Sequence, residues 1–191
     1  RNALHHACLE GCLESVDILA RRGIDKWALD KAGHSAFGYL LGPGYMRMRG
    51  GKEILSIFQD IRDRGQKLTQ GGNALHLVLR SNLKVGQSDD KDVLKTLLGW
   101  KLDPCMKDDA GNTALLLAAG RQNWVLERIL KVCDCINVSN ALGRTPFHNL
   151  LESANEASSD LTHQLNVMLE RGADIEIQDG HGRTALHFAA M

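Results

Sequence analysis

The fold is decided by a nine-residue stretch near the end of the chain, which reads DGHGRTALH from Asp179 to His187. Gly182 follows Asp179 by three positions, a spacing typical of a tight turn. Thr184 then opens a run of helix-forming residues, and its side-chain oxygen can accept hydrogen bonds from the unpaired amides of a first helical turn. The stretch therefore predicts a turn followed at once by a short helix.

The same stretch recurs along the chain. Its helix-opening part occurs six times, with starts at Asn2, Ser35, Asn73, Thr113, Thr145 and Thr184. Its turn part precedes four of these copies, with the polar residue at Asp30, Asp108, Asn140 and Asp179 and a Gly three positions later. A third signal, an apolar helix that ends in Gly, lies 12 residues before two of the starts, at Gly23 and Gly172. Three signals in one phase predict a repeat protein.

The pattern resembles the ankyrin repeat, whose units of about 33 residues begin with Thr-Pro-Leu-His; the fifth copy reads TPFH from Thr145 to His148. The resemblance implies an all-α solenoid of helix-turn-helix units joined by hairpin-like turns, with about six units and incomplete terminal ones. The expected units within a single domain, 1–191, are 1–30, 31–70, 71–108, 109–140, 141–178 and 179–191. Insertions are expected between the two helices of three units, at 42–51, 82–89 and 153–159. The chain departs from the family at Gly38 and Leu116, which replace the His, and at Cys133 and Cys135.

Composition excludes several classes of protein. The 191 residues carry 23 basic and 23 acidic side chains, and 43% are hydrophobic. A net charge of zero disfavours nucleic-acid binding and adsorption to an anionic membrane, and no apolar run is long enough to span a bilayer. The five cysteines are odd in number and scattered, which disfavours a disulfide framework and favours a reducing compartment. We expect an intracellular location, with the cytoplasm favoured over the nucleus, and a monomeric segment of a longer protein.

Polar residues of the repeated motif have a structural interpretation. The histidines lie one repeat apart, at His5, His76, His148 and His187, and therefore form a row rather than a converging set. The resemblance implies that each bridges backbone groups of adjacent turns. Hydroxyl residues at Thr113, Thr145 and Thr184 are expected to cap first helices.

No catalytic or metal-binding motif emerges. His5, Cys8 and Cys12 share a helical spacing but lack a fourth ligand, so core packing is the better interpretation. The Cys133-x-Cys135 pair lacks the two-residue spacer and second ligand pair of a zinc knuckle. Neither a cofactor nor a metal is assigned, and this segment is not expected to be an enzyme.

Two segments are candidate recognition elements. In the turns, Trp27, Leu29 and Met106 place large apolar side chains in otherwise polar surroundings, and Lys107 accompanies them. Exposed aromatic residues are frequent hot spots, although Trp27 packed on a neighbouring turn is an equal alternative. The insertion at 42–51 offers the side chains of Tyr45, Arg47 and Arg49. A contact with an anionic ligand or peptide competes there with a plain surface loop.

The function that follows is protein interaction. Solenoids of this kind bind partners on a concave face built from turn tips and first helices. The alternative is a regulatory segment that packs on a catalytic domain of the same protein, such as a kinase, transferase or ubiquitin ligase. A nearby catalytic domain in the full-length sequence would separate the two.

Overall fold

The computed structural model describes residues 1–26, 28–40, 72–80, 88–100, 102–153 and 159–190. Within these ranges the chain forms helices and no strand; one isolated antiparallel bridge joins Leu29 and Ser35. The helices are α1 (Ala3–Glu10), α2 (Leu13–Arg21), α3 (Ala36–Tyr39), α4 (Ala74–Arg80), α5 (Ser88–Gly99), α6 (Ala114–Ala118), α7 (Asn123–Leu130), α8 (Pro146–Glu152), α9 (Ser159–Glu170) and α10 (Ala185–Ala189). The prediction of an all-α fold is confirmed.

The chain forms two compact units, residues 1–103 and 104–191. In the first unit α1 contacts α2 and α3, and α4 contacts α5. In the second unit the helices that open the repeats contact one another in succession, α6 with α8 and α8 with α10. The helices that close the repeats do the same, because α7 contacts α9. The second unit is therefore a stack of helix pairs.

Small and branched side chains let the helices of the second unit pack closely. Ala114, Leu115 and Ala118 on α6 are fully buried. Val125 and Ile129 on α7, the other helix of the same pair, are buried too. A single helix pair has too little apolar surface to bury its own face, so the neighbouring pair completes the core. The repeated spacing in the sequence is thus what makes this unit stable.

Two of the three expected insertions can be compared with the helices. The segments 42–51 and 154–158 lie outside the described residues; next to the latter, α8 ends at Glu152 and α9 begins at Ser159. The expected insertion at 82–89 reaches into α5, which begins at Ser88, and residues 82–87 lie outside the described part of the chain. Ser and Asp are favoured at helix N-termini because they complement unpaired amides and the helix dipole. The number of repeats stays a prediction.

Candidate functional site

Four turns in the described part of the chain are each organised by one carboxylate or amide oxygen. Oδ1 of Asp179 accepts hydrogen bonds from the backbone amides of His181 and Arg183, at 2.8 and 3.0 Å. The same pair of bonds, to the residues two and four positions on, forms at Asp30, Asp108 and Asn140. Aspartate and asparagine are suited to this role because their short side chains reach their own backbone. The spacing read from the sequence thus corresponds to one turn geometry used four times.

Electrostatics reinforces two of these turns. The Asp179 side chain is fully buried, and its Oδ2 accepts bonds from Nε and Nη2 of Arg183 at 3.0 and 2.8 Å. Burial alone would raise the pKa of Asp179, but the bonds from Arg183 and from backbone amides hold it well below its usual range. The pKa of Asp30 is likewise lowered, first by the bond from the Tyr39 hydroxyl at 2.6 Å and then by backbone amides. Both carboxyl groups are ionised at neutral pH.

Two histidines of the repeated motif, His148 and His5, each link a helix start to the next turn. Nδ1 of His148 accepts from the backbone amide of Thr145 at 3.2 Å, so Nε2 carries the proton and donates to the Arg183 carbonyl at 3.2 Å. His5 makes the equivalent bonds, to the amide of Asn2 and to the His34 carbonyl. These side chains are buried and fully engaged. Their arrangement is structural, and a shared metal ion would need them to converge.

In the second unit the turn tips contact one another directly. The amide of Ala141 donates to the carbonyl of Ala110 at 3.0 Å, and the amide of Gly180 donates to that of Leu142 at 2.8 Å. This approach requires glycine: a Cβ on Gly111 or Gly143 would lie 2.6 Å from the next turn's backbone nitrogen. Both glycines also have positive φ angles, 76° and 74°, which other residues rarely adopt. The tips therefore form a close-packed ladder.

Three of the seven sequence-predicted partner-binding residues lie in the described turns. Leu29 is 63% exposed. The equivalent positions of later repeats carry polar residues, so an exposed apolar side chain is unusual at this position of the repeat. Met106 is half-buried. Lys107 is exposed, but its Nζ donates to the Ser139 carbonyl at 2.7 Å and joins two successive turns. The other four, Trp27, Tyr45, Arg47 and Arg49, lie outside the described residues.

The structure adds exposed apolar residues that sequence reasoning did not select. Leu142 sits at a turn tip and is 54% exposed, while Ile175 and Leu186 are exposed elsewhere in the second unit. Leu142 is the large apolar residue within the turn from Asn140 to Gly143. The sequence could have indicated Leu142, because turn tips are expected to be polar.

Three of the five cysteines converge in the second unit, although the cysteines are scattered along the sequence. Cys105 and Cys135 are joined as a disulfide. The Sγ atom of Cys133 lies 2.7 Å from that of Cys135 and 3.8 Å from that of Cys105. Residues 28 and 30 positions apart meet here, because stacking brings corresponding turns of successive repeats together. We name these three side chains the sulfur cluster.

The side chains of His5, Cys8 and Cys12, which share a helical spacing in the sequence, do not form such a cluster. Among the described residues, the sulfur cluster is the group whose ligand atoms converge, within 4.8 Å of one another. Cys8 is fully buried, and burial raises the pKa of its thiol to about 12. Cys12 is exposed, with its Sγ 3.0 Å from the Ser15 hydroxyl. The packing interpretation of Cys8 agrees with this burial.

Comparisons with known proteins place this chain beside parts of larger ones. No protein-family model matches it. It is 27% identical over 112 residues to a probable serine/threonine-protein kinase of Dictyostelium discoideum, covering 57% of this chain and 11% of the kinase. It is 32% identical over 106 residues to the E3 ubiquitin-protein ligase KEG of Arabidopsis thaliana, covering 54% of this chain and 6% of the ligase. The chain thus spans only a small fraction of these curated relatives.

A solved structure shares the fold. A chain in the complex of a predatory endopeptidase with an immunity protein, from Bdellovibrio bacteriovorus, superposes with a TM-score of 0.71 at 23% identity. The match covers all of this chain and 91% of the other. Identity at this level shows a common fold alone. In the described residues, no helix has both the length and the apolar character that crossing a membrane requires.

Proposed function

We propose that this chain is an ankyrin-type protein-interaction module of a longer protein, and that it binds its partner through turn tips and first helices. The observation that carries the proposal is the ladder of turns in the second unit, with Leu142 exposed at its tip. A rigid ladder presents side chains without a large loss of conformational entropy on binding. An exposed apolar side chain on such a frame supplies the desolvation that drives association.

The turns suit recognition better than catalysis. Their carboxylates and histidines are committed to backbone hydrogen bonds, as at Asp179 and His148. A general base needs a free lone pair facing a substrate. The proposal therefore assigns this segment no reaction of its own and no cofactor. An intracellular, cytoplasmic location and a monomeric segment stay predictions of the sequence.

Site-specific photo-crosslinking tests the surface. A photoreactive amino acid replaces Leu142 at the turn tip, and a matched probe replaces Glu127 on α7, where the side chain is also exposed. We expect a discrete partner to be captured from Leu142 and not from Glu127. Leu142→Ala should then weaken binding of that partner with an unchanged melting temperature. Equal capture from both probes would show that the turn face is not the binding surface.

A second candidate function is regulation of a catalytic domain in the same protein. Both curated relatives are enzymes by name, and this chain matches only 11% and 6% of them. The full-length coding sequence tests this candidate. A kinase, transferase or ligase domain of the same protein that co-purifies with the separately expressed segment would support it. A segment that binds a separate protein but not that catalytic domain would contradict it.

A further inference from the structure

The sulfur cluster occupies the position of a hydrogen-bonded link in the next pair of turns. There, Asn137 lies three residues before the polar turn residue Asn140, and its side chain donates to the Gly172 carbonyl and accepts from the Asp174 amide, at 3.0 and 2.9 Å. In the same register, Cys105 lies three residues before Asp108. This link holds one turn to the next.

The partners of that link are replaced as well. Gly172 and Asp174 lie seven and five residues before Asp179, and Cys133 and Cys135 lie seven and five before Asn140. All three members of the Asn137 link thus correspond to cysteines one repeat earlier. Their convergence follows from the register of the repeat, and at this junction sulfur chemistry takes the place of the amide.

All three sulfurs belong to the arrangement. A disulfide between Cys105 and Cys135 uses two of them, and the third, Cys133, is 3% exposed with its Sγ 2.7 Å from that of Cys135. In the reducing compartment that the sequence predicts, such a bond is reduced. Three thiols, two buried and one half-buried, then lie within 4.8 Å of one another, and thiolates are the ligands that soft metal ions prefer.

We propose that reduced Cys105, Cys133 and Cys135 bind a thiophilic d10 metal ion, Zn²⁺ before Cu⁺, which links two successive repeat turns. Three thiolates have a net charge of −1 with Zn²⁺ and of −2 with Cu⁺. Zn²⁺ is favoured because a buried net charge is costly. In a tetrahedral zinc site with Zn–S bonds of about 2.3 Å, the ligand sulfur atoms are about 3.8 Å apart. The Cys105–Cys133 separation of 3.8 Å already matches that spacing. For the same spacing, Cys135 has to move away from Cys133, whose Sγ is now 2.7 Å from its own, after its bond to Cys105 is reduced.

The fourth ligand comes from outside the cluster. Cys105 is only half-buried, so the coordination sphere opens toward solvent on its side. A water molecule, or a donor from a binding partner, completes a tetrahedron there. The proposal is independent of the interaction function, because it rests on the three cysteines and not on the exposed side chain of Leu142.

Cobalt binding to the reduced chain tests the site. Dithiothreitol reduces the Cys105–Cys135 bond, itself becoming the cyclic disulfide, and is then removed without air. Titration with Co²⁺ should produce thiolate-to-cobalt charge transfer and tetrahedral visible bands at one ion per chain, with release of thiol protons. Zn²⁺ should abolish these bands stoichiometrically. A parallel titration with Cu⁺ under a competing chelator distinguishes the two ions.

Variants keep the test decisive. Cys133→Ser should weaken Co²⁺ binding by more than about tenfold, whereas Cys12→Ser, at an exposed cysteine, should leave it unchanged. The triple variant Cys105→Asn, Cys133→Gly, Cys135→Asp copies the Asn137 link, so it should fold without binding cobalt. Full binding by Cys133→Ser would overturn the proposal. So would a reduced wild-type chain that binds no cobalt and only re-forms the Cys105–Cys135 bond in air.

Discussion

The backbone amide of Gly180 donates a hydrogen bond of 2.8 Å to the carbonyl oxygen of Leu142, so that two successive turn tips are joined main chain to main chain. Side chains are excluded from this contact, which is why Gly143 cannot carry a Cβ without meeting the Gly180 nitrogen at 2.6 Å. The contact aligns the turns and leaves the Leu142 side chain exposed. It therefore underlies both the rigidity and the recognition proposed for this face.

Gly143→Ala should destabilise the second unit more than Gly172→Ala. Both glycines have positive φ angles, 74° and 85°, which cost an alanine about 1 to 2 kcal/mol. A Cβ at Gly172 meets nothing within 4 Å, whereas at Gly143 it collides with backbone. Urea denaturation of both variants gives the comparison. Equal losses in the free energy of unfolding would mean that the turns can separate freely.

His148→Leu should lower the free energy of unfolding by about 1 to 3 kcal/mol, the cost of leaving buried partners unsatisfied. The Thr145 amide and the Arg183 carbonyl both lose a hydrogen bond. The control is His163→Leu, which removes an exposed pair with Glu127 and should cost no more than about 1 kcal/mol. A His148→Leu chain as stable as the wild type would show that water replaces the imidazole.

Asp179→Asn should change how stability depends on pH. Because the pKa of Asp179 is lowered in the folded chain, its contribution is present above the unfolded value of about 3.9 and is lost as the pH falls through the folded value. The variant keeps the turn oxygen, as Asn140 does, but loses the charge that pairs with Arg183. We expect it to be less stable than the wild type at pH 7, with the gap closing below about pH 4.

Urea denaturation at several pH values measures that gap directly. Glu170→Gln, at an exposed carboxyl group, serves as the control for a generic loss of negative charge. A gap between wild type and Asp179→Asn that stays constant down to pH 2 would contradict the assignment of Asp179 as an ionised, paired group.

Leu115→Ala and Leu186→Ala should differ sharply. Leu115 is fully buried on α6, which contacts α7 and α8, and its truncation should cost about 2 to 5 kcal/mol. Leu186 is 75% exposed on α10, so its truncation should cost less than about 0.5 kcal/mol. Chemical denaturation measures both. Equal losses would show that another element covers Leu186 in solution.

Much of the local structure could be predicted from the sequence. Helix starts at Ser35 and Thr113 follow from their hydroxyl groups, which accept the Gly38 and Leu116 amides as N-caps do. The turns at Asp108 and Asn140 follow from the three-residue spacing to Gly111 and Gly143. These features depend on atoms within a few residues of one another, so the order of the side chains is sufficient to determine them.

Only the tertiary structure decided which residues meet across repeats. The sulfur cluster joins Cys105 to residues 28 and 30 positions away, and Lys107 reaches the Ser139 carbonyl across 32. Neither pairing has a local signature, because each depends on how closely two helix pairs stack and on the length of chain between them. The sequence by itself determined the all-α repeat and its turns, which are short-range. Packing determined the convergence of Cys105, Cys133 and Cys135, since it depends on the distance between neighbouring turns.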